Sequence, residues 1–113
     1  VDQNIVHINN EKTSAGFLSL ENAEVSWFLS IDSNTLPKFI IEKGQRTYRS
    51  INIDNKELEF SEGFTELHTK VYNSILNENG YGIYDTYEAI DLVHKIRNSK
   101  PSKKGILHPF LEK

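Results

Sequence analysis

Five side chains between residues 49 and 72 are of types that could bind a charged ligand together. Arg49 can hold a phosphate or carboxylate through charge-assisted hydrogen bonds. Ser61 is placed to cap a helix, in front of first-turn N–H groups that favour an anion. Phe64 opens that helix, and His68 and Tyr72, four residues apart, fall on one helical face where an imidazole and a phenol converge on a bound molecule. All five flank one corner, Ser61-Glu62-Gly63, and their chemistry is that of substrate binding. A second reading stays open: His68 and Tyr72 are boundary residues packed over a sheet edge, as helical aromatics commonly are.

Such residues work only on a rigid frame. In 49–54 the apolar side chains recur at every second position, so Ile51 and Ile53 share one face of a strand. Asn55-Lys56 reads as a tight reversal, and 57–60 resumes the alternation on a second strand. Beyond Gly63 the period changes, with Phe64, Leu67, Val71 and Ile75 making one helical stripe and His68, Tyr72 and Leu76 flanking it. Gly80 suits the left-handed position that closes this helix. A second helix starts from Asp85 and Glu88 as a capping box and buries Ala89, Ile90, Leu92, Val93 and Ile96. It ends before Pro101, with Lys95, Arg97 and Lys100 at the negative end of its dipole.

Upstream, 4–9 is a short β-branched strand, and 13–20 with 23–32 makes a hairpin. Val25, Trp27, Leu29 and Ile31 alternate along the second arm; Phe28 stands among serines on the opposite face, and an exposed Phe28 would point to oligomerisation. Residues 38–45 read as a link with Phe39, Ile40 and Ile41 packed, before a strand over 46–53 centred on Tyr48. The tail 101–105 is flexible in composition, and the apolar residues of 106–111 dock on the body. The fold class is α+β: one domain with an open antiparallel sheet covered by two C-terminal helices.

Composition narrows the functions. A chain of 113 residues has the length of one domain. Thirteen basic against sixteen acidic residues, a net charge of −3 with no basic block, give no footprint for nucleic acid. There is neither an apolar run long enough to span a membrane nor a signal segment, and no cysteine, which fits a reducing compartment such as the cytoplasm. No Gly-rich phosphate loop is present, and His7, His68, His94 and His108 lack the spacing of a metal site. No catalytic residue or cofactor-binding loop is found. The lack of any methionine, position 1 included, and a strand so close to Val1 lead to the expectation that the chain is a piece of a longer polypeptide.

Several stretches carry a resemblance: Thr13-Ser14-Ala15-Gly16-Phe17-Leu18, Trp27-Phe28-Leu29-Ser30-Ile31-Asp32 with Leu36-Pro37, Thr47-Tyr48-Arg49-Ser50-Ile51, the run from Glu59-Phe60-Ser61-Glu62-Gly63-Phe64 to Thr69, and Gly80-Tyr81-Gly82-Ile83. In this order and spacing the chain resembles the C-terminal half of nucleotide-sugar dehydrogenases of the glucose-fructose oxidoreductase/inositol dehydrogenase/rhizopine catabolism family, from about Asn4 to Phe110 and most weakly over 38–45. The resemblance implies a two-domain enzyme of lipopolysaccharide O-antigen biosynthesis. An N-terminal Rossmann domain would bind NAD, and residues 1–113 would form the C-terminal domain for substrate binding and oligomerisation. It implies a UDP-sugar substrate, UDP-N-acetylglucosaminuronate, oxidised at the sugar 3-hydroxyl, and a homo-oligomer built through the sheet. The family's dinucleotide loop, its Glu-Lys-Pro lysine and its catalytic histidine would lie upstream of Val1, so this half would be inactive alone. The competing expectation is a free-standing sheet domain serving protein association, with Trp27 and Phe28 at its interface.

Overall fold

A computed structural model describes residues 1–61, 63 and 66–112. The class is α+β with all strands antiparallel, and the strands lie in two sheets, not one. The chain divides into two compact units, Val1–Asp32 with Thr86–Lys113, and Ser33–Asp85.

The first unit is built on strands β1 (Gln3–Asn9), β2 (Thr13–Ser19) and β3 (Glu24–Ser30), in that spatial order. Asn10 sets the first reversal: its side-chain oxygen accepts from the N–H groups of Lys12 and Thr13, both at 2.9 Å, a local bond that competes with continued strand. The register puts Ile5, Phe17 and Ser26 on one face with Ile8, Ala15 and Phe28, and Val6, Gly16 and Trp27 on the other with Leu18 and Val25. His7 is the extra residue of a bulge between Val6 and Ile8, so the side chains after it keep their proper faces.

Trp27 lies across Gly16. A Cβ at position 16 would stand 2.8 Å from Trp27 Cζ2 and closer still to the Ile5 carbonyl oxygen, so the constraint there is space. The hydrophobic core consists of Ile5, Val6, Ala15 and Phe17, each of the larger ones worth about 1.5–3 kcal/mol of burial.

Phe28 is not exposed. The C-terminal tail covers its face: Phe28 stacks on His108 at 5.5 Å between centroids and meets Phe110 edge-on at 5.3 Å. Further along, the Ser102 N–H donates to the Val6 carbonyl at 2.7 Å and His7 Nε2 bonds the Lys104 carbonyl at 2.6 Å. Gly105 sits so close to Ile5 and Phe17 that a Cβ there would touch both. The docking expected for 106–111 is therefore observed, and it leaves Phe28 half-buried. The other face stays partly open, with Leu29 68% exposed.

His108 ties the tail to pH. Its Nδ1 accepts from the Phe110 N–H at 3.1 Å, which only an unprotonated nitrogen can do, and burial lowers its pKa from the ordinary 6.5. The folded unit then binds fewer protons than the unfolded chain just below pH 6.5, so stability is full above that value and is lost as pH falls through the depressed folded pKa. Thermal melts across this range should show the decline, and His108→Leu should flatten it. An equal slope in both proteins would remove the role of His108.

The second unit starts with a short turn of 3₁₀-helix over Ser33–Thr35 and a short helix, α1 (Lys38–Glu42), where a link was expected. Pro37, whose fixed φ of −59° suits the entry to a helix, stands at its N-cap, and the Ile40 and Ile41 N–H groups bond its carbonyl. A helix of one turn and a half turns one position inward: Ile40 is buried, while Phe39 and Ile41 are exposed. Phe39 instead meets Tyr48 edge-on at 5.5 Å.

Strands β4 (Ser50–Ile53) and β5 (Lys56–Glu59) follow, joined by Asp54 and Asn55 at φ 49° and 66°. Two left-handed residues in a two-residue loop match the twist of a hairpin, which is why Asp and Asn occupy them. β4 is shorter than the expected 46–53, because the Arg49 N–H bonds a side chain and not the ladder.

Helix α2 (Leu67–Leu76) begins three residues later than Phe64. Gly63 at φ 79° and Glu66 at φ 60° are left-handed, so no helix can run through them, and Glu66 takes the N-cap without a side-chain bond. At its far end Glu78, φ 61°, holds the left-handed position expected of Gly80; the Glu78 and Asn79 N–H groups bond the carbonyls of Ile75 and Ser74, which completes a Schellman cap.

Helix α3 (Ile83–Arg97) is continuous, and its capping differs from the expected box. Asp85 lies inside the first turn and its carboxylate accepts from the Gly82 N–H at 2.6 Å, the part that Glu88 was expected to play three residues on. Within the first unit, Asn9 Nδ2 donates to the Arg97 carbonyl at 3.4 Å, and Lys95 pairs with Asp91 at 2.8 Å on the exposed side. Among the described residues no helix is long and apolar enough to cross a membrane.

Candidate functional site

The β4–β5 hairpin divides its side chains by sign. Registered pairs Ser50–Glu59 and Asn52–Glu57 share a polar face, and Ile51–Leu58 an apolar one, which Ile53 joins. Tyr48 extends the polar face, its phenol hydrogen-bonded to the Glu57 carboxylate. Burial first, and then that bond, raises the Tyr48 pKa above the ordinary phenol value, so it remains a donor at neutral pH.

Arg49 and Ser61 are brought together where the hairpin ends. The Phe60 N–H donates to the Arg49 carbonyl at 2.8 Å, and the Arg49 N–H donates to Ser61 Oγ at 3.1 Å. Ser61 in turn donates its hydroxyl proton to the Glu59 carboxylate at 3.0 Å. It therefore caps no helix: α2 starts six residues further on, and the hydroxyl fastens the hairpin end instead. The Gly63 N–H bonds the Phe60 carbonyl at 2.8 Å, and the Arg49 guanidinium passes over Gly63, where a Cβ would lie 3.5 Å from Nη1. Among the described residues no carboxylate pairs with Arg49, which leaves an exposed cation at a backbone corner.

His68 and Tyr72 occupy successive turns of α2, on one face as their spacing requires, and both are exposed, Tyr72 by 66%. No described hydrogen bond joins either to the Arg49–Ser61 pair. Phe64 lies outside the described residues. Glu59 and Tyr48 are site neighbours that the sequence reading passed over. The signal was present in the register: with Ser50 opposite Glu59, residues 48, 50, 57, 59 and 61 must share one face.

Among the described residues no three His, Asp or Glu side chains gather where a metal could be held. Two open hollows lie elsewhere, one on α3 along Ile90, Val93, His94, Arg97 and Asn98, the other where the first four residues meet Glu88, Asp91, Leu92 and Lys95. Neither includes a predicted site residue, and neither is the enclosed concavity that buries a ligand.

Among the solved structures that this chain resembles are two of the WlbA (WbpB) dehydrogenase from Thermus thermophilus. The one in complex with NAD and α-ketoglutarate is 43% identical, with a TM-score of 0.89, over 96% of this chain and 36% of that one. The other, in complex with NAD and UDP-GlcNAcA, is 41% identical with the same TM-score and coverage. The chain thus has the fold of a segment of that dehydrogenase and spans about a third of its length. A comparison with the patterns that define protein families finds none that matches.

Proposed function

We propose that this chain is the C-terminal, substrate-binding part of an NAD-dependent nucleotide-sugar dehydrogenase of the glucose-fructose oxidoreductase/inositol dehydrogenase/rhizopine catabolism family. The observation that carries the reading is the likeness along almost the whole chain to a dehydrogenase solved with NAD and UDP-GlcNAcA. The whole enzyme would move a hydride from the sugar C3 to the nicotinamide, forming a 3-keto sugar, with UDP-N-acetylglucosaminuronate as substrate and O-antigen biosynthesis as its setting. In this reading 1–113 is the substrate and oligomerisation domain, and the protein works in the cytoplasm.

The residues of this chain do not fit NAD. The described glycines are dispersed, none forms the Gly-rich turn between strand and helix that cradles a pyrophosphate, and no step of hydride transfer is assigned to any side chain here. Their part would be to bind and orient the sugar nucleotide, with Arg49 on an anionic oxygen, Phe64, His68 and Tyr72 around it, and Ser61 behind Arg49, bonded to its main chain. Calorimetry on the isolated chain with NAD should show no binding. Saturable binding at micromolar strength would contradict the assignment of the cofactor to another part of the enzyme.

Exposed apolar side chains support incorporation into something larger. Leu67, Val71 and Ile75 on α2, and Val25 and Leu29 beside Trp27 on the open sheet face, all face solvent. In the proposed enzyme the Trp27 face joins copies into a homo-oligomer, and Phe28, under the chain's own tail, takes no part. Light scattering on the whole enzyme should give a dimer or larger, reduced by Leu29→Glu; a strict monomer at high concentration would count against sheet-mediated assembly.

A further inference from the structure

We propose that Ser61 and Glu59 are positioning residues that fix where Arg49 presents its guanidinium to the anionic end of the sugar nucleotide. The inference rests on the reading of Arg49 as the anion-binding residue. Its basis is the way the Ser61 hydroxyl is occupied in both directions. Oγ accepts from the Arg49 main-chain N–H at 3.1 Å, and the hydroxyl proton goes to a Glu59 carboxylate oxygen at 3.0 Å. A carboxylate can only accept here, so it turns the hydroxyl proton toward itself and leaves an Oγ lone pair for the Arg49 N–H.

The consequence is a clamp on one peptide. Ser50 and Glu59 are the last registered pair of the β4–β5 ladder. One residue beyond it, the Arg49 carbonyl is held by the Phe60 N–H at 2.8 Å and the Arg49 N–H by Ser61, so both polar groups of Arg49 are satisfied by consecutive residues of the facing chain. Thr47 adds a weaker tie, its hydroxyl donating to the Ser61 carbonyl at 3.4 Å. The Arg49 side chain then runs over Gly63, whose left-handed φ of 79° is what favours glycine at this corner. An arginine with a fixed root loses less side-chain freedom on gripping a planar anion, so the gain appears in binding and not in the chemical step. Ser61 contributes through Arg49 without touching the ligand.

The test is steady-state kinetics of the whole dehydrogenase with NAD saturating and UDP-N-acetylglucosaminuronate varied. Ser61→Ala should raise the KM for the sugar nucleotide about three- to tenfold with kcat and the KM for NAD near wild type, and Ser61→Thr, which keeps the hydroxyl, should restore it. Glu59→Ala should repeat the Ser61→Ala effect. In an Arg49→Ala background Ser61→Ala should add nothing, since a residue acting through Arg49 has nothing left to position. If Arg49→Ala raises KM but Ser61→Ala multiplies it further, or has no effect in either background, the positioning role is overturned while the anion site stands. If Arg49→Ala leaves KM unchanged, the anion site itself is wrong and the inference falls with it.

Discussion

Gly16→Ala is expected to destabilise the first unit by about 3 kcal/mol, the upper end of what overpacking costs. The added methyl would press on the Ile5 carbonyl oxygen and on the indole of Trp27, at 2.8 Å from Cζ2. An indole can tilt, but a carbonyl in the β1–β2 ladder moves only if the strand moves, and Ile5 is itself part of the core. Relief at one contact therefore costs packing at the other. Chemical denaturation of the wild type and the variant measures the difference directly; a loss below about 0.5 kcal/mol would mean that Trp27 does not lie across the sheet as described. Trp27→Leu should recover part of the loss in the Gly16→Ala background, because it removes the flexible half of the clash.

The second large effect belongs to Arg49 in the proposed enzyme. Arg49→Ala should cost about 1.5–3 kcal/mol of sugar-nucleotide binding, about ten- to a hundredfold in affinity, as a charge-assisted bond to a phosphate or carboxylate is worth. Its melting temperature should hardly change, since the guanidinium has no described ion-pair partner and the main-chain ties of Arg49 survive the truncation. His68→Ala gives the companion test. His68 is exposed on α2, so the expectation is a raised KM or lowered turnover with normal NAD binding, and not a drop in melting temperature. Variants that melt early and turn over normally would return both residues to a packing role.

Much of this architecture was legible because it obeys simple periods. The alternation of Val25, Trp27 and Leu29 against Ser26, Phe28 and Ser30 gave the correct faces of β3, and 51 and 53 did the same for β4. What failed was punctuation, together with the burial expected along α3, where Ala89, Ile90 and Val93 are exposed. Gly80 looks like the residue to end α2, yet Glu78 takes the left-handed position, because the last turn closes where the Ile75 and Ser74 carbonyls need donors. The start of α2 was misplaced for the same reason: left-handed Glu66 interrupts an apolar stripe that reads as continuous from Phe64. The cover over Phe28 was hidden in the sequence because it joins residues 80 apart or more, a distance no local period reports. The site fell between these cases. Arg49 and Ser61 were both legible as residues of interest, but that one holds the backbone of the other depends on hairpin register, which the two-residue turn fixes.

In the proposed function this chain supplies the substrate side of an enzyme that oxidises a UDP-linked uronic acid with NAD. The most direct measurement is NADH formation by the whole protein carrying this chain, followed by absorbance with UDP-N-acetylglucosaminuronate and NAD supplied together and singly. NADH is expected only when both are present, saturating in each, with a product bearing a new carbonyl at the sugar C3. A protein that binds NAD and the UDP-sugar yet forms no NADH, or that oxidises the sugar at another carbon, would contradict it.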